Sequence, residues 1–459
     1  MAMDKDYILN NVEQISAQDL ANAIQQGLVT LQELKETDEL DASKRKAIQK
    51  ILSAADQECE QAWEQCKNGD ETQLRDFINK YQASKYADEA QIRIDQLQRK
   101  KENAIYEHQN ILNRIRLNPN TYSPAEIINF LDDGTVTRCE LVNKCGIPDS
   151  AIDSAKDIIE KNITVNLELG LTPESIPEGY TEVYFWGGPG SGKTCALGAV
   201  LQMAEYKECL TIAAGPGCKY ATQLKNIFTH DNIANDFLPA PSPVESTQYL
   251  PFTLQLPKEK RSRSVSLIEL SGEIFECFFW KNADTQLPTA SHENTFNSLI
   301  RFLASKNRKL HFFFIDAGRD NKRDQRGLTQ GDYLQATATY FTKHQLFDKT
   351  TDAIFIVLTK SDLLVDESGN HVPEEKRIEY AKKYLKEQRY GSFVNALKHI
   401  CEEFSINGGR LTVEPFTLGK VYFQQICNFD GTTASHLVDI LLERIPGDKN
   451  NNILKFFNA

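Results

Sequence analysis

An all-α domain followed by an α/β domain with a mostly parallel sheet is what the sequence predicts, and three observations predict it. From about Asn10 to Lys161 apolar residues recur at intervals of three and four, the helical period. The stretch 163–181, ITVNLELGLTPESIPEGYT, then breaks the pattern with two Pro and two Gly. Beyond it, short apolar runs of strand length alternate with helical stretches, the arrangement of a sheet with crossover helices. The expected division is therefore an all-α module over 1–162, a linker over 163–181 and an α/β domain over 182–459.

In the helical part, Asp41-Ala42-Ser43 opens a long helix carrying Ile48, Ile51, Leu52, Ala55, Cys59, Ala62 and Trp63 on one stripe. Tyr86, Ala90, Ile94 and Leu97 form a second stripe, with Leu74, Phe77 and Tyr81 between the two. In these aromatic and Ala positions, 63–97 resembles a tetratricopeptide-type helical hairpin, which implies a protein-binding surface. Offset by 107, residues 16–48 fall on 123–155 without a gap, with Ser16/Ser123, Gly27/Gly134, Val29/Val136, Thr30/Thr137, Glu33/Glu140 and Leu34/Leu141 identical. Each copy reads as a Ser-capped helix, a Gly turn, and a second helix whose capping Thr is answered by Glu three residues on. Two copies of one small helical unit flanking the hairpin are expected.

The α/β part predicts a strand over Val183–Trp186, a helix from Lys193 to about Ala204, and strands near Phe252–Leu256 and Val265–Glu269. Further strands are expected over Phe312–Asp316, Ala353–Leu358 and Leu411–Leu418, a helical insertion over 273–309, and a closing helix over Thr433–Arg444.

Composition narrows the function. With 459 residues, 41% hydrophobic and 25% charged, the chain is neither collagen-like nor disordered. Ten cysteines without a CxxC pair, and a start lacking a signal-peptide apolar run, predict reduced thiols in a cytoplasmic protein. The apolar runs are strand-sized, so no membrane span is expected. Of the net charge of −12, residues 1–161 carry −9, from 20 Lys+Arg against 29 Asp+Glu. An acidic face repels phosphate backbones, which argues against nucleic acid and for a protein partner on the helical module.

The chemistry begins at Gly187-Gly188-Pro189-Gly190-Ser191-Gly192-Lys193-Thr194, which matches GxxxxGK[ST] between an apolar strand and a helix. Glycines allow successive N–H groups to curl around phosphates, and the helix N-terminus, beginning with Lys193, Thr194 and Cys195, adds positive potential. Lys193 would reach the β and γ oxygens and Thr194 would ligate Mg²⁺. After the strand AIFIVL comes Thr359-Lys360-Ser361-Asp362. A carboxylate at Asp362 can accept from both the ring N–H and the exocyclic amine of guanine, and adenine offers no such pair. Lys360 would lay its stem along the base.

These motifs in this order resemble the Ras-like, TRAFAC-type P-loop GTPases, over about 180–445. The resemblance implies a P-loop NTPase fold, GTP/GDP as ligand and Mg²⁺ as cofactor. It also implies an acid at the end of the third strand and a Gly whose N–H meets the γ-phosphate. The sequence offers Glu269-Leu270-Ser271-Gly272, an ExxG where the family has DxxG. Asp316, ending HFFFID, competes as the Mg²⁺ acid of an ATPase-type arrangement. Glu273 stands where many relatives orient the attacking water, and a carboxylate there implies slow or partner-stimulated hydrolysis. Thr247 is the candidate switch threonine, and Thr417-Leu418-Gly419 occupies the loop whose backbone N–H meets guanine O6. Arg319, Lys322, Arg323 and Arg326 lie on the polar run 318–327, which reads as solvated surface or as an internal arginine finger.

Lys193 to Glu269 spans 76 residues and Glu269 to Lys360 spans 91, wider than a minimal Ras-like domain. With GGPGSGKT, LSGE and PFTLG, this spacing is also similar to bacterial double-GTPase-type or secretion-associated GTPases, implying a role in conflict or envelope systems. The expectation is a GTP-dependent switch for a helical recruiting module. A non-catalytic GTP-binding scaffold and a P-loop ATPase using Asp316 are the alternatives.

Overall fold

The computed structural model describes residues 4–447 apart from 164, 166, 169–172, 216, 229–235, 240–246, 321 and 388–389. Two compact units divide the chain, Met1–Ile111 and Leu112–Ala459.

The first unit holds α1 (Lys5–Asn10), α2 (Ala17–Gln25), α3 (Leu31–Lys35), α4 (Ala42–Cys66), α5 (Glu71–Lys80) and α6 (Ala87–Leu117) as far as Ile111. Ser16 caps α2, and Thr30 with Glu33 forms a full capping box on α3. Each such cap contributes about 1 kcal/mol. Ile8, Val12, Leu20, Leu34 and Ile48 gather into one small core. A second gathers Trp63, Leu74, Phe77, Ala90 and Ile94, with the Trp63 ring stacked on Tyr86 at 5.5 Å and tilted against Phe77 at 5.3 Å. These are the residues of the 63–97 stripes.

The second unit opens with the end of α6 and then α7 (Pro124–Asp132), α8 (Arg138–Cys145) and α9 (Asp149–Glu160). Its local geometry matches that of α2 and α3: Ser123 caps α7, Gly134 turns at φ 75° as Gly27 does at 73°, and Thr137 with Glu140 boxes α8. Ile127 and Leu141 are buried where Leu20 and Leu34 are. The compact division falls ahead of the 163–181 stretch because 112–160 is joined to the α/β elements. Helix α9 lies against β10 (Ile426–Phe429), and the Phe423 N–H donates to Pro119 O at 2.9 Å.

The α/β elements follow as β1 (Thr181–Trp186), α10 (Lys193–Tyr206), β2 (Leu210–Ile212), α11 (Cys218–Lys225), β3 (Asp236–Phe237), β4 (Gln248–Leu254), β5 (Arg263–Glu269), α12 (Gly272–Asn282) and α13 (Ala290–Leu303). Then come β6 (Arg308–Asp316), α14 (Gln330–Lys343), β7 (Thr351–Thr359), α15 (Arg377–Glu387), α16 (Gly391–Glu403), β8 (Thr412–Pro415), β9 (Gly419–Tyr422), β10 and α17 (Thr432–Arg444). Among the described residues the main sheet has seven strands in the order β2-β4-β5-β1-β6-β7-β8. The β5-β1-β6-β7-β8 run is parallel, and β4 is antiparallel to both β5 and β2. The expected fold class holds: a mostly parallel P-loop-type α/β sheet preceded by helices.

The central strands carry apolar runs such as Val183–Trp186, Phe312–Ile315 and Ala353–Leu358 because both faces are covered. Alternate residues enter two cores. Tyr184, Trp186, Phe313, Ile315, Ile354 and Ile356 pack with residues of α12 to α16. Val183, Phe185, Phe312, Phe314, Phe355 and Val357 pack with residues of α10, α11 and α17. This period of two holds the P-loop strand rigidly from both sides.

Three local expectations shift. The strand expected over Leu411–Leu418 ends at Pro415, where the chain leaves the sheet and begins β9 at Gly419. The strand expected near Phe252–Leu256 is β4, displaced toward Gln248 by its pairing with β5. The β3-β10-β9 sheet was not predicted, because the β9–β10 turn is made by Phe423 and Gln424, both left-handed (φ 52° and 66°), without Gly or Asn to mark it.

Candidate nucleotide-binding site

The loop between β1 and α10 sits at the C-terminal end of the central strand, with β5 on one side and β6 on the other. Gly187 requires glycine: its φ is 148°, and a Cβ there would meet Phe314 O and the Ser191 hydroxyl at 2.7 Å each. Lys193 is buried, and its ammonium donates to Gly187 O at 2.7 Å, Gly188 O at 2.9 Å and Ser191 Oγ at 3.4 Å. Burial pushes its pKa down to about 8. Desolvation pushes the neighbouring Cys195 thiol up to about 12, so it carries no charge here.

Two carboxylates flank the loop, and their partners differ. Glu269, at the end of β5, accepts the Thr194 hydroxyl on one oxygen and the Tyr220 hydroxyl at 2.6 Å on the other. Burial raises its pKa, while the bonds from Thr194 and Tyr220 and the charge of Lys193 pull it back. Asp316, at the end of β6, is taken up by the Lys360 ammonium at 2.6 Å and the Gly318 N–H at 2.8 Å. The geometry thus joins Thr194 to Glu269 and leaves Asp316 to Lys360. Two adjacent oxygen donors suit a hard cation such as Mg²⁺, which keeps most of its water. Among the described residues no group of three or more His, Cys, Asp and Glu could form an all-protein cage.

Gly272 closes over the loop. A Cβ on it would fall 2.2 Å from Pro189 N and 2.4 Å from Pro189 Cα, so only glycine allows this approach. Ser271 caps α12 by accepting the Glu273 N–H at 3.2 Å. Glu273 in the first helical turn then projects outward to His292 Nε2 at 3.5 Å. Among the described residues its carboxylate makes no hydrogen bond or ion pair with the P-loop. Thr247 is buried directly before Gln248, which pairs with Glu269, so it lies beside the acid-bearing strand end. Most of the Pro-rich run ahead of it lies outside the described residues.

The two base-site motifs interlock. The Thr359 hydroxyl is shared between Ser191 O at 3.0 Å and Ile315 O at 3.1 Å, tying the TKSD strand to the P-loop. Lys360 adopts a left-handed conformation (φ 54°), turning the chain into a short 3₁₀ turn over Ser361–Leu363. Ser361 bonds Phe416 O through both its N–H and its hydroxyl, at 3.1 Å each. The Thr417 hydroxyl donates to Asp362 Oδ1 at 2.8 Å, and the Gly419 N–H donates back to Thr417 Oγ1 at 3.2 Å. Gly187 to Cys195, Glu269, Gly272, Thr359, Lys360, Asp362, Leu418 and Gly419 therefore belong to one rim of the sheet. Tyr220 and Thr417 were missed as site residues. Tyr220 lies in α11 with no motif to mark it, while Thr417 stood inside the flagged TLG triplet.

No protein-family profile and no curated protein matches the chain. Among solved structures it is similar to a nucleolar GTP-binding protein of Plasmodium falciparum, at 11% identity, TM-score 0.25, covering 58% of this chain and 89% of that one. It is also similar to the Saccharomyces cerevisiae Ski7 GTPase-like domain bound to GTP, at 16% identity and TM-score 0.27, covering 58% of this chain and 51% of that one.

Proposed function

We propose that the chain binds GTP with Mg²⁺ and hydrolyses it slowly or with partner stimulation, acting as a molecular switch for its helical elements. The observation that carries this is the interlock of three motifs on one sheet edge. The Thr359 hydroxyl bonds a P-loop carbonyl, and Asp362 is tied to Thr417 of the PFTLG loop. In this reading Lys193 and the loop N–H groups bind the phosphates, and Asp362 with Gly419 selects guanine. Thr194 and Glu269 would hold the Mg²⁺, which when bound neutralises charge on the β and γ oxygens. The Asp316–Lys360 ion pair argues against an ATPase using Asp316.

A second reading, a GTP-binding scaffold without turnover, has one observation in its favour: Glu273 faces His292 rather than the loop. Multiple-turnover phosphate release on the full chain separates the two. The switch reading expects slow release from GTP that Lys193→Ala abolishes. Release at background, with and without partners, leaves the scaffold. The acidic balance of residues 1–161 supports a protein partner for the helical elements.

A further inference from the structure

We propose that Arg319 is an arginine supplied by the chain itself to the transferred phosphoryl group, and that Asp320, Tyr384 and Tyr390 hold it there as positioning residues. The proposal rests on the GTP-hydrolysis reading. Of the four cations on 318–327, Arg319 is the one aimed at the P-loop. Its Nη1 donates to Pro189 O, and a Cβ on Gly190 would lie 3.3 Å from that same nitrogen. Arg323 is spent inside its own loop, donating to Gly327 O at 2.8 Å. Arg326 lies over the Trp280 ring at 4.7 Å and pairs with Glu276 at 3.5 Å, and Lys322 is exposed.

The segment that presents Arg319 is fixed at successive residues. Ala317 N–H donates to Thr359 O at 3.1 Å, Gly318 N–H to Asp316 Oδ1 at 2.8 Å, and Arg319 N–H to Asp316 O at 3.3 Å. Tyr384 of α15 donates its hydroxyl to Ala317 O at 2.8 Å and contacts Asp320 Oδ1, which also accepts the Tyr390 hydroxyl at 2.8 Å. Gln330 of α14 ties Tyr390 back to Asp316, donating to the Tyr390 hydroxyl at 2.8 Å and to Asp316 O at 3.1 Å. Two tyrosine hydroxyls on one carboxylate oxygen are more than a surface loop needs. They leave the arginine backbone little freedom, and a preorganised cation is what phosphoryl transfer uses.

Charge points the same way. Lys193 and Arg319 both end on backbone carbonyls of one loop, and among the described residues neither lies within 4 Å of a carboxylate. Two adjacent cations held by neutral dipoles, backbone carbonyls and for Lys193 also the Ser191 hydroxyl, form a site for a polyanion. In the reaction a water oxygen bonds to the γ-phosphorus. The bond from that phosphorus to the β–γ bridging oxygen breaks with its electron pair onto the β-phosphate, and the water proton ends on the released phosphate. Arg319 is the group able to offset the charge gathering on the bridge and the γ oxygens, a role worth about 10³ to 10⁵ in kcat.

The plain alternative is a brace that merely shapes the P-loop, and it predicts different losses. The experiment compares wild type, Arg319→Ala, Arg319→Lys and Asp320→Asn on the full chain, measuring GTP turnover, GDP affinity, and the gain in GDP affinity when fluoroaluminate is added. The proposal expects Arg319→Ala to bind GDP as wild type does, to lose about 10³-fold in kcat and to lose the fluoroaluminate gain. Arg319→Lys should recover a small part of both, and Asp320→Asn should fall between wild type and Arg319→Ala. Wild-type turnover left unchanged in Arg319→Ala would overturn the proposal and leave the GTPase reading standing. Parallel loss of GDP and fluoroaluminate binding would overturn it in favour of a brace, as would a wild type that gains nothing from fluoroaluminate. A wild type that binds no GTP would remove the functional reading itself.

Discussion

His311 sets how the P-loop strand responds to acid. It lies fully buried on β6, stacked with Tyr184 at 5.0 Å and edge-on to Phe347 at 4.9 Å. Its Nδ1 accepts the indole N–H of Trp186 at 3.0 Å, and Trp186 is the residue directly before Gly187. The proton therefore belongs on Nε2, and a second proton has no room where Trp186 donates. Burial, reinforced by the nearby Lys309 ammonium, holds its pKa well below the ordinary 6.5. A depressed pKa gives stability that is present above pH about 6.5 and is lost as pH falls toward the folded value. The loss approaches about 1.4 kcal/mol for each pH unit below 6.5, until the folded value is reached. His311→Gln keeps an acceptor for Trp186 and removes the titration. Urea unfolding of both proteins at pH 7.5, 6.5, 5.5 and 4.5 cancels the carboxylates they share. The variant should start about 1 to 3 kcal/mol less stable, from lost packing, and the gap should close by about 1.4 kcal/mol per pH unit below 6.5. Curves that stay parallel down to pH 4.5 would refute a buried neutral His311.

Two other substitutions probe the geometry. Gly272→Ala forces a carbon onto the Pro189 backbone, 2.2 Å from its nitrogen, so GTP affinity should fall at least about tenfold with the circular dichroism spectrum unchanged; near-normal affinity in a fluorescent-nucleotide titration would contradict the close approach. Gln424→Gly should raise the unfolding free energy by about 0.5 to 1 kcal/mol, because glycine takes the left-handed turn at φ 66° without strain while the backbone bond to Asn120 is kept; a lower melting temperature would count against a strained turn.

What could be read from the sequence was the chemistry carried by neighbours along the chain. The strand, glycine loop and Lys193 helix are contiguous, and so are the Ser and Thr caps with their answering Glu residues. The sheet could be read too, since strands buried on both faces need unbroken apolar runs. What could not be read depended on contacts across the fold. Glu269 and Asp316 both end apolar strands, and only the Thr194 and Lys360 contacts tell them apart. Arg319 stood as one of four cations until the path of its loop separated it from Arg323 and Arg326. The compact division at Ile111 falls within α6, where the helical period runs on without a break.

Guanine selection rests on Asp362, and equilibrium affinities for GTP, ATP and XTP on wild type and on Asp362→Asn measure it. The half-buried carboxylate already accepts Thr417 on one oxygen, and the base would supply donors to the rest of it. Wild type should prefer GTP over ATP by about 10² or more, and Asp362→Asn should weaken GTP and shift preference toward XTP. Equal affinity for GTP and ATP, with no gain for xanthine in the variant, would contradict it.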